Sequence, residues 1–213
     1  MSDVPDFDQI VSRYQERIAR YLTGLLGDPI LAQDLSQETF IRVHGNLENL
    51  RSPEALTNWI FRIASNLALD HLRSRRSHES RRTESLNEDS LDDRDGNKHF
   101  TGDEVSAESR LEQHEMAACI RGYIERLPEM LRACVMLRDL EDLPEKDVAE
   151  IIGCSLATVK VRTHRGRKKL REMLREGCDL YQDSRGILRC EPGEPPVSDG
   201  GRPRPNRRLR KKE

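Results

Sequence analysis

Pro144-Glu145-Lys146-Asp147-Val148-Ala149-Glu150-Ile151-Ile152-Gly153-Cys154-Ser155-Leu156-Ala157-Thr158-Val159-Lys160-Val161-Arg162-Thr163-His164-Arg165-Gly166-Arg167-Lys168-Lys169-Leu170 reads as a short helix, a tight turn and a second helix that becomes densely basic. A helix-turn-helix presents one helix to a DNA groove in this way. Pro144 suits the first helical position because the amide it lacks would be unpaired there, and Glu145 and Asp147 favour the positive helix N-terminus. Val148, Ile151 and Ile152 form one apolar face, and Ala149 is small enough for a close crossing. Gly153 stands at the helix end, where a left-handed backbone carries no side-chain penalty, and Ser155 is placed to cap the second helix. In that helix Leu156, Val159, Leu170 and Met173 or Leu174 are read as inward. Lys160, Thr163, His164, Arg165, Arg167 and Lys168 are left for solvent or a polyanion. From Lys160 to Arg175 eight Lys/Arg stand against one Glu, a local charge of +7 suited to phosphate neutralisation. The alternative is a solvated basic helix in a bundle, but charge runs rarely follow a turn of this spacing.

Around this motif, composition points to a soluble, largely helical, cytoplasmic protein. The 213 residues suffice for two small domains, and 35% charged with 4% aromatic residues argues against one large core. Met1 to Asp8 is acidic and lacks the basic, apolar, small-residue series of a targeting segment, and no apolar run approaches a membrane span, so no membrane insertion is expected. Cys119, Cys134, Cys154, Cys178 and Cys190 are odd in number and scattered, unlike a secreted disulfide framework. The formal net charge of -2 hides an asymmetry: residues 78 to 112 hold eleven Asp/Glu and five Lys/Arg, whereas residues 202 to 213 hold one Glu and seven Lys/Arg.

These shifts divide an all-α chain into two small helical domains joined by a flexible acidic linker, at about residues 6–77, 78–110 and 111–176, followed by a tail, 177–213. In the first domain, Phe7, Ile10, Val11, Tyr14, Ile18, Leu22 and Leu25 share a helical face that ends at Gly27-Asp28-Pro29. A second helix sets Leu31, Leu35, Thr39 and Val43 against a polar face, and Ser52-Pro53 starts a third, with Leu56, Trp59, Ile60, Ile63, Leu67 and Leu72 as its stripe. In the second domain one helix carries Ile120, Tyr123, Ile124 and Leu127, and another, starting near Pro128, carries Leu131, Val135 and Leu140.

Two further blocks carry a family resemblance. Asp34-Leu35-Ser36-Gln37-Glu38-Thr39-Phe40-Ile41-Arg42-Val43 and Asn58-Trp59-Ile60-Phe61-Arg62-Ile63-Ala64-Ser65-Asn66-Leu67-Ala68-Leu69-Asp70-His71-Leu72-Arg73 resemble first-domain signatures of bacterial sigma factors. Leu127-Pro128 and the helix-turn-helix come next in the right order, so residues 6 to 176 resemble the extracytoplasmic-function (ECF) branch of the sigma-70 family. The resemblance implies a dissociable initiation subunit that binds core RNA polymerase, recognises promoter DNA at its -10 and -35 elements and helps to open the duplex.

By that resemblance Asp34, Gln37, Glu38 and Arg42, with Phe40 beside them, dock on the clamp helices of the polymerase's largest subunit, although in isolation they read first as an ordinary solvated helix face. The third helix would trap the unwound -10 strand. Trp59 offers a stacking surface, Arg62 and Arg73 offer phosphate contacts, Asn66 offers a base-edge hydrogen bond, and Asp70 lies among them. Because Trp59 also lies in the apolar stripe, a core role stays open for it. At the -35 element Lys160, His164 and Arg165 are expected to read base edges, with Arg162, Arg167, Lys168 and Lys169 on phosphates and Thr163 on the same face. An anti-sigma factor is a further partner of many relatives.

In the tail, Asp183-Ser184-Arg185-Gly186 is a hairpin signal that would bring Cys178 and Cys190 near one another as a thiol pair, half a metal site or two reduced bystanders. Bystanders fit best, because no short ligand spacing or nearby His completes a set. No metal, cofactor or catalytic residue is expected. A free-standing helix-turn-helix regulator would not require the Asp34–Val43 block or the Trp59 helix, and an enzyme acting on nucleic acid would require a nucleophile or ligand cluster not seen here.

Overall fold

The computed structural model describes residues 5–50, 52–79, 119–182, 188–192 and 210–211. Helix α1 (Phe7–Leu26) ends at Gly27, whose φ of 69° is the left-handed turn expected there. Asp28 then caps α2 (Pro29–Asn46), its carboxylate accepting from the Ile30 and Leu31 amides at 3.0 and 3.1 Å. Ser52 makes no cap bond to the backbone. A 3-10 turn, Pro53–Ala55, leads instead into α3 (Leu56–Glu79). The first core is built from Ile10, Tyr14, Ile18, Leu22 and Leu25 of α1, Val43 of α2, and Ile60, Phe61, Ala64 and Ala68 of α3. Two tyrosines bury their rings and keep their hydroxyls paired, Tyr14 to Thr57 at 2.7 Å and Tyr21 to Ser65 at 2.8 Å. Burial pushes the Tyr21 phenol well above its ordinary range.

In two helices the buried faces differ from the expected stripes. α2 buries Ala32, Ser36, Thr39 and Val43, with Leu31 and Leu35 at its flanks. α3 buries Phe61, Ala64 and Ala68, and moves Trp59, Ile63 and Leu67 to the edge of the core. Small residues set these close contacts, and a hydrophobicity pattern gives small residues little weight.

The second unit begins with α4 (119–124) and continues through α5 (Glu129–Val135), α6 (Glu145–Ile152) and α7 (Leu156–Gly177). α5 runs on as a π-helical turn, Met136–Leu140, closed by the Glu141 amide bonding to the Met136 carbonyl at 3.0 Å. That widened turn rotates Leu140, expected inside, to 54% exposure and brings Met136 and Leu137 into the core. Burial also pushes the Cys134 thiol up to about 12.

The two units form one continuous apolar cluster, with α6 lying against α3 and α5 reaching α1. Residues 80–118, which hold nearly all of the expected linker, lie outside the described residues. After α7 a small sheet departs from a purely helical plan. β1 (Cys178–Gln182) pairs antiparallel with β2 (Leu188–Pro192) and parallel with β3 (Arg210–Lys211). The turn at Asp183–Gly186 lies outside the described residues, but the strands it would join pair as a hairpin. Cys178 faces Pro192 and Cys190 faces Leu180, so the cysteines are not register partners, and the Cys178 thiol donates to the Tyr123 hydroxyl at 3.5 Å.

Candidate nucleic-acid interface

In the helix-turn-helix, Gly153 ends α6 with a φ of 72°, and the Ser155 hydroxyl caps α7 by accepting from the Thr158 amide at 3.1 Å. These local signals set the angle at which α7 leaves the turn. Its inward line is Val159, Thr163, Gly166 and Leu170, which packs on α5. Leu156, expected inside, is 43% exposed because it precedes the first crossing of α5.

Thr163 therefore cannot contact DNA: it is 2% exposed, and its hydroxyl has no hydrogen-bond partner. An unpaired buried hydroxyl costs about 1–3 kcal/mol. The outward face carries Lys160, Val161, Lys168 and Lys169, which are exposed, with His164 and Arg165 half-buried between them. Arg162 and Arg167 flank the buried line and are half-buried. Arg167 is held by both oxygens of Asp139, at 3.0 Å from Nε and through a shorter Nη2 contact, and that hydrogen bonding raises its pKa. Asp139 occupies Nε and Nη2 of Arg167, which leaves Nη1 for a phosphate. Val161, 45% exposed in the middle of the basic face, is a candidate absent from the sequence-derived set, and an apolar side chain there suits a thymine methyl.

On α3, Trp59, Arg62, Asn66, Asp70 and Arg73 lie along one outward line. Arg62, Asn66, Asp70 and Arg73 are exposed, and Trp59 is half-buried at the core edge with part of its ring outside. Asp70 and Arg73 pair at 3.0 Å while 72% and 68% exposed, so a phosphate can take Arg73 at a cost of at most about 1 kcal/mol.

The α2 face is mixed. Asp34, Gln37 and Arg42 are exposed, and Glu38 accepts from Arg42 Nε at 2.8 Å. Phe40 lies in a shallow groove of about 490 Å³ between α1 and α2, lined also by Phe7, Val11, Gln37, Ile41 and His44. The exposed apolar groups on α2 are Ile30, 77% exposed, and Ile41, 65% exposed. Large aliphatic residues on an otherwise polar helix face were the signal for them.

The first unit thus presents polar faces on α2 and α3, and the second a basic face on α7. Sigma-70 region 2 matches residues 10–78, and Sigma-70, region 4 matches residues 117–170. The chain belongs to the sigma-70 family. Relatives place this sigma factor in the ECF branch. It is 35% identical to the ECF RNA polymerase sigma factor SigE of Mycolicibacterium smegmatis over 80% of this chain, and spans 62% of that relative's length. It is 34% identical to the RNA polymerase sigma-H factor of Pseudomonas aeruginosa, over 80% of this chain and 89% of the relative. Among solved structures, the sigma factor RpoE in complex with the anti-sigma factor NepR, from Bartonella quintana, shares the fold. Its TM-score is 0.58 at 20% identity, covering 81% of this chain and 98% of that one. CnrH, solved with the cytosolic domain of CnrY, aligns with a TM-score of 0.53 at 22% identity over 79% and 87%. The protein is thus a sigma factor, the subunit through which RNA polymerase finds promoters. Among the described residues no helix is long and apolar enough to cross a membrane.

Proposed function

We propose that this sigma factor divides its work among three helix faces, with residues 6–77 serving core and -10 binding, residues 111–176 serving -35 binding, and the acidic residues 78–110 acting as the tether between them. The observation that carries this reading is the outward line Trp59, Arg62, Asn66, Asp70 and Arg73 on α3, on a different unit from the basic face of α7. Single-strand capture needs an aromatic platform beside phosphate and base-edge groups, and this line supplies all three. Duplex opening then results from binding an unstacked base better than a stacked one. The protein contributes binding alone, and phosphodiester chemistry stays with the polymerase. It acts in the cytoplasm, at the nucleoid when bound to polymerase.

Lys160, Val161, His164 and Arg165 face the -35 base edges, with Lys168 and Arg167 on phosphates. Asp34, Gln37, Glu38 and Arg42 surround Ile41 on the face turned to the polymerase clamp helices, with Phe40 shaping the groove behind it. An anti-sigma factor is a further partner this reading admits, since RpoE is bound by one. Replacing Ile41 and Gln37 by glutamate and arginine, respectively, is expected to weaken co-elution with core polymerase at least tenfold. Binding of an isolated -35 duplex should be unchanged. Undiminished core binding would move the docking surface elsewhere.

A further inference from the structure

The close crossing of α5 and α7 brings one carboxylate up against the basic face of the recognition helix. Gly166, with no Cβ, lets α7 approach Val135 and the Leu131 carbonyl of α5 closely. The next residue, Arg167, then lies beside the π-helical turn Met136–Leu140 in which α5 ends. Asp139, in that turn, receives Arg167 on both carboxylate oxygens, Oδ2 from Nε at 3.0 Å and Oδ1 from Nη2 over a shorter distance. The nearby acid Asp142 is engaged separately, by Arg138 at 3.4 Å. Arg167 and Asp139 both stay partly open to solvent, with side chains 36% and 28% exposed.

A carboxylate is out of keeping with a face suited to phosphate. By Coulomb's law alone it weakens binding to every duplex, because it cancels a cation and repels the backbone. Its geometry offers a different role. Asp139 takes the guanidinium side-on, through Nε and Nη2, and so uses two of its five N–H donors. The donors that remain include a parallel pair across the Nη1 and Nη2 end, a shape that matches phosphate oxygens. An arginine left to itself samples many rotamers and loses that freedom on binding, whereas one already held loses less.

We propose that Asp139 is a positioning residue for the -35 contact, holding the Arg167 guanidinium so that its Nη1 and Nη2 end meets one phosphate of the duplex. The inference rests on the reading that α7 serves the -35 element and that Arg167 contacts phosphate. A fixed arginine contributes fully only where Lys160, His164 and Arg165 set α7 in one register on the bases, and contributes little to duplexes bound in other registers. Asp139 thus exchanges indiscriminate charge for affinity confined to the correct site.

The test is whether specific and nonspecific binding respond differently to loss of the carboxylate. Holoenzyme assembled from core polymerase and the full-length protein is titrated with two promoter fragments, one with its -35 element intact and one with that element scrambled. Asp139→Asn removes the charge and keeps an oxygen for only one of the two hydrogen bonds. It should weaken binding of the intact fragment about tenfold and leave binding of the scrambled fragment equal or tighter. Asp139→Glu, which keeps the charge and both oxygens, should recover most of the lost affinity. In an Arg167→Ala background Asp139→Asn should no longer weaken the intact fragment, because the group it positions is gone. Unchanged or tighter binding of the intact fragment by Asp139→Asn, the purely coulombic result, would overturn the proposal. So would equal weakening of both fragments, or the same weakening with and without Arg167, since either is a packing effect.

Replacing single phosphates of the intact fragment by neutral methylphosphonates separates this failure from failure of the underlying reading. One such replacement should cost affinity with the wild type and much less with Arg167→Ala or Asp139→Asn. A phosphate that depends on Arg167 but not on Asp139 would leave Arg167 as its ligand and remove the role of Asp139. If no phosphate depends on Arg167, its assignment to the DNA backbone falls, and the proposal with it.

Discussion

Replacing Gly166 with leucine is expected to lower the melting temperature of the second helical unit by about 10 °C or more and to abolish -35 recognition. Gly166 lies on the inward line of α7, and a Cβ there would stand 2.6 Å from Val135 Cγ2 and 3.3 Å from the Leu131 carbonyl oxygen. Valine is stiff and the carbonyl belongs to α5 itself, so neither can yield without moving a helix. Overpacking of this kind costs about 3 kcal/mol, whereas replacing a helical glycine returns about 1 kcal/mol of propensity. A net loss of about 2 kcal/mol lowers the midpoint of a unit this size by about 10 °C. Gly45 is the control, because nothing lies within 4 Å of a Cβ built there, and Gly45→Ala should leave stability unchanged or slightly raised. Thermal unfolding monitored by circular dichroism distinguishes the two. Equal behaviour of both variants would mean that α7 does not pack on α5 through Gly166.

Lys160→Ala combined with Arg165→Ala is expected to reduce initiation at -35-dependent promoters about a hundredfold while leaving core binding intact. Lys160 is exposed and Arg165 half-buried, and neither belongs to the buried line Val159, Thr163 and Gly166 that packs on α5. Each bidentate base contact contributes about 1–3 kcal/mol, and two well-separated contacts add approximately. Each substitution should also flatten the salt dependence of DNA binding wherever the side chain touches phosphate. Run-off transcription with the variant, beside a co-elution assay with core, reads both quantities. If core binding falls instead, the docking and -35 surfaces have been exchanged.

The helix-turn-helix was the most legible part of the chain because its signals are local. Gly153 and Ser155 act within one turn of themselves, and both do in the structure what their positions indicated. The outward line of α3 was legible for a related reason: Arg62, Asn66, Asp70 and Arg73 are polar residues at helical spacing, and such residues face water unless paired.

What failed to show in the sequence was set by packing at a distance or by small side chains. Thr163 looked like a DNA contact because it is polar and sits among cations, yet it occupies the crossing with α5, beside Gly166. Neither a threonine nor a glycine marks a buried face by hydrophobicity. Leu140 was misplaced because an unbroken helical period was carried through Met136–Leu140, where the backbone widens into a π-turn. The grip of Glu141 on Arg17, 124 residues away, left no trace in local patterning. On α2 the aromatic Phe40 drew attention from Ile41, although Phe40 is half-buried and Ile41, lining the same groove, is 65% exposed.

Promoter-directed initiation is tested most directly by adding the purified full-length protein to core RNA polymerase and sequencing the 5′ ends of transcripts made from fragmented genomic DNA. The expected result is a stoichiometric complex and initiation from a restricted promoter set sharing one -35 and one -10 element at a fixed spacing. Binding to DNA without core, together with no complex and no initiation when core is supplied at low salt, would contradict it.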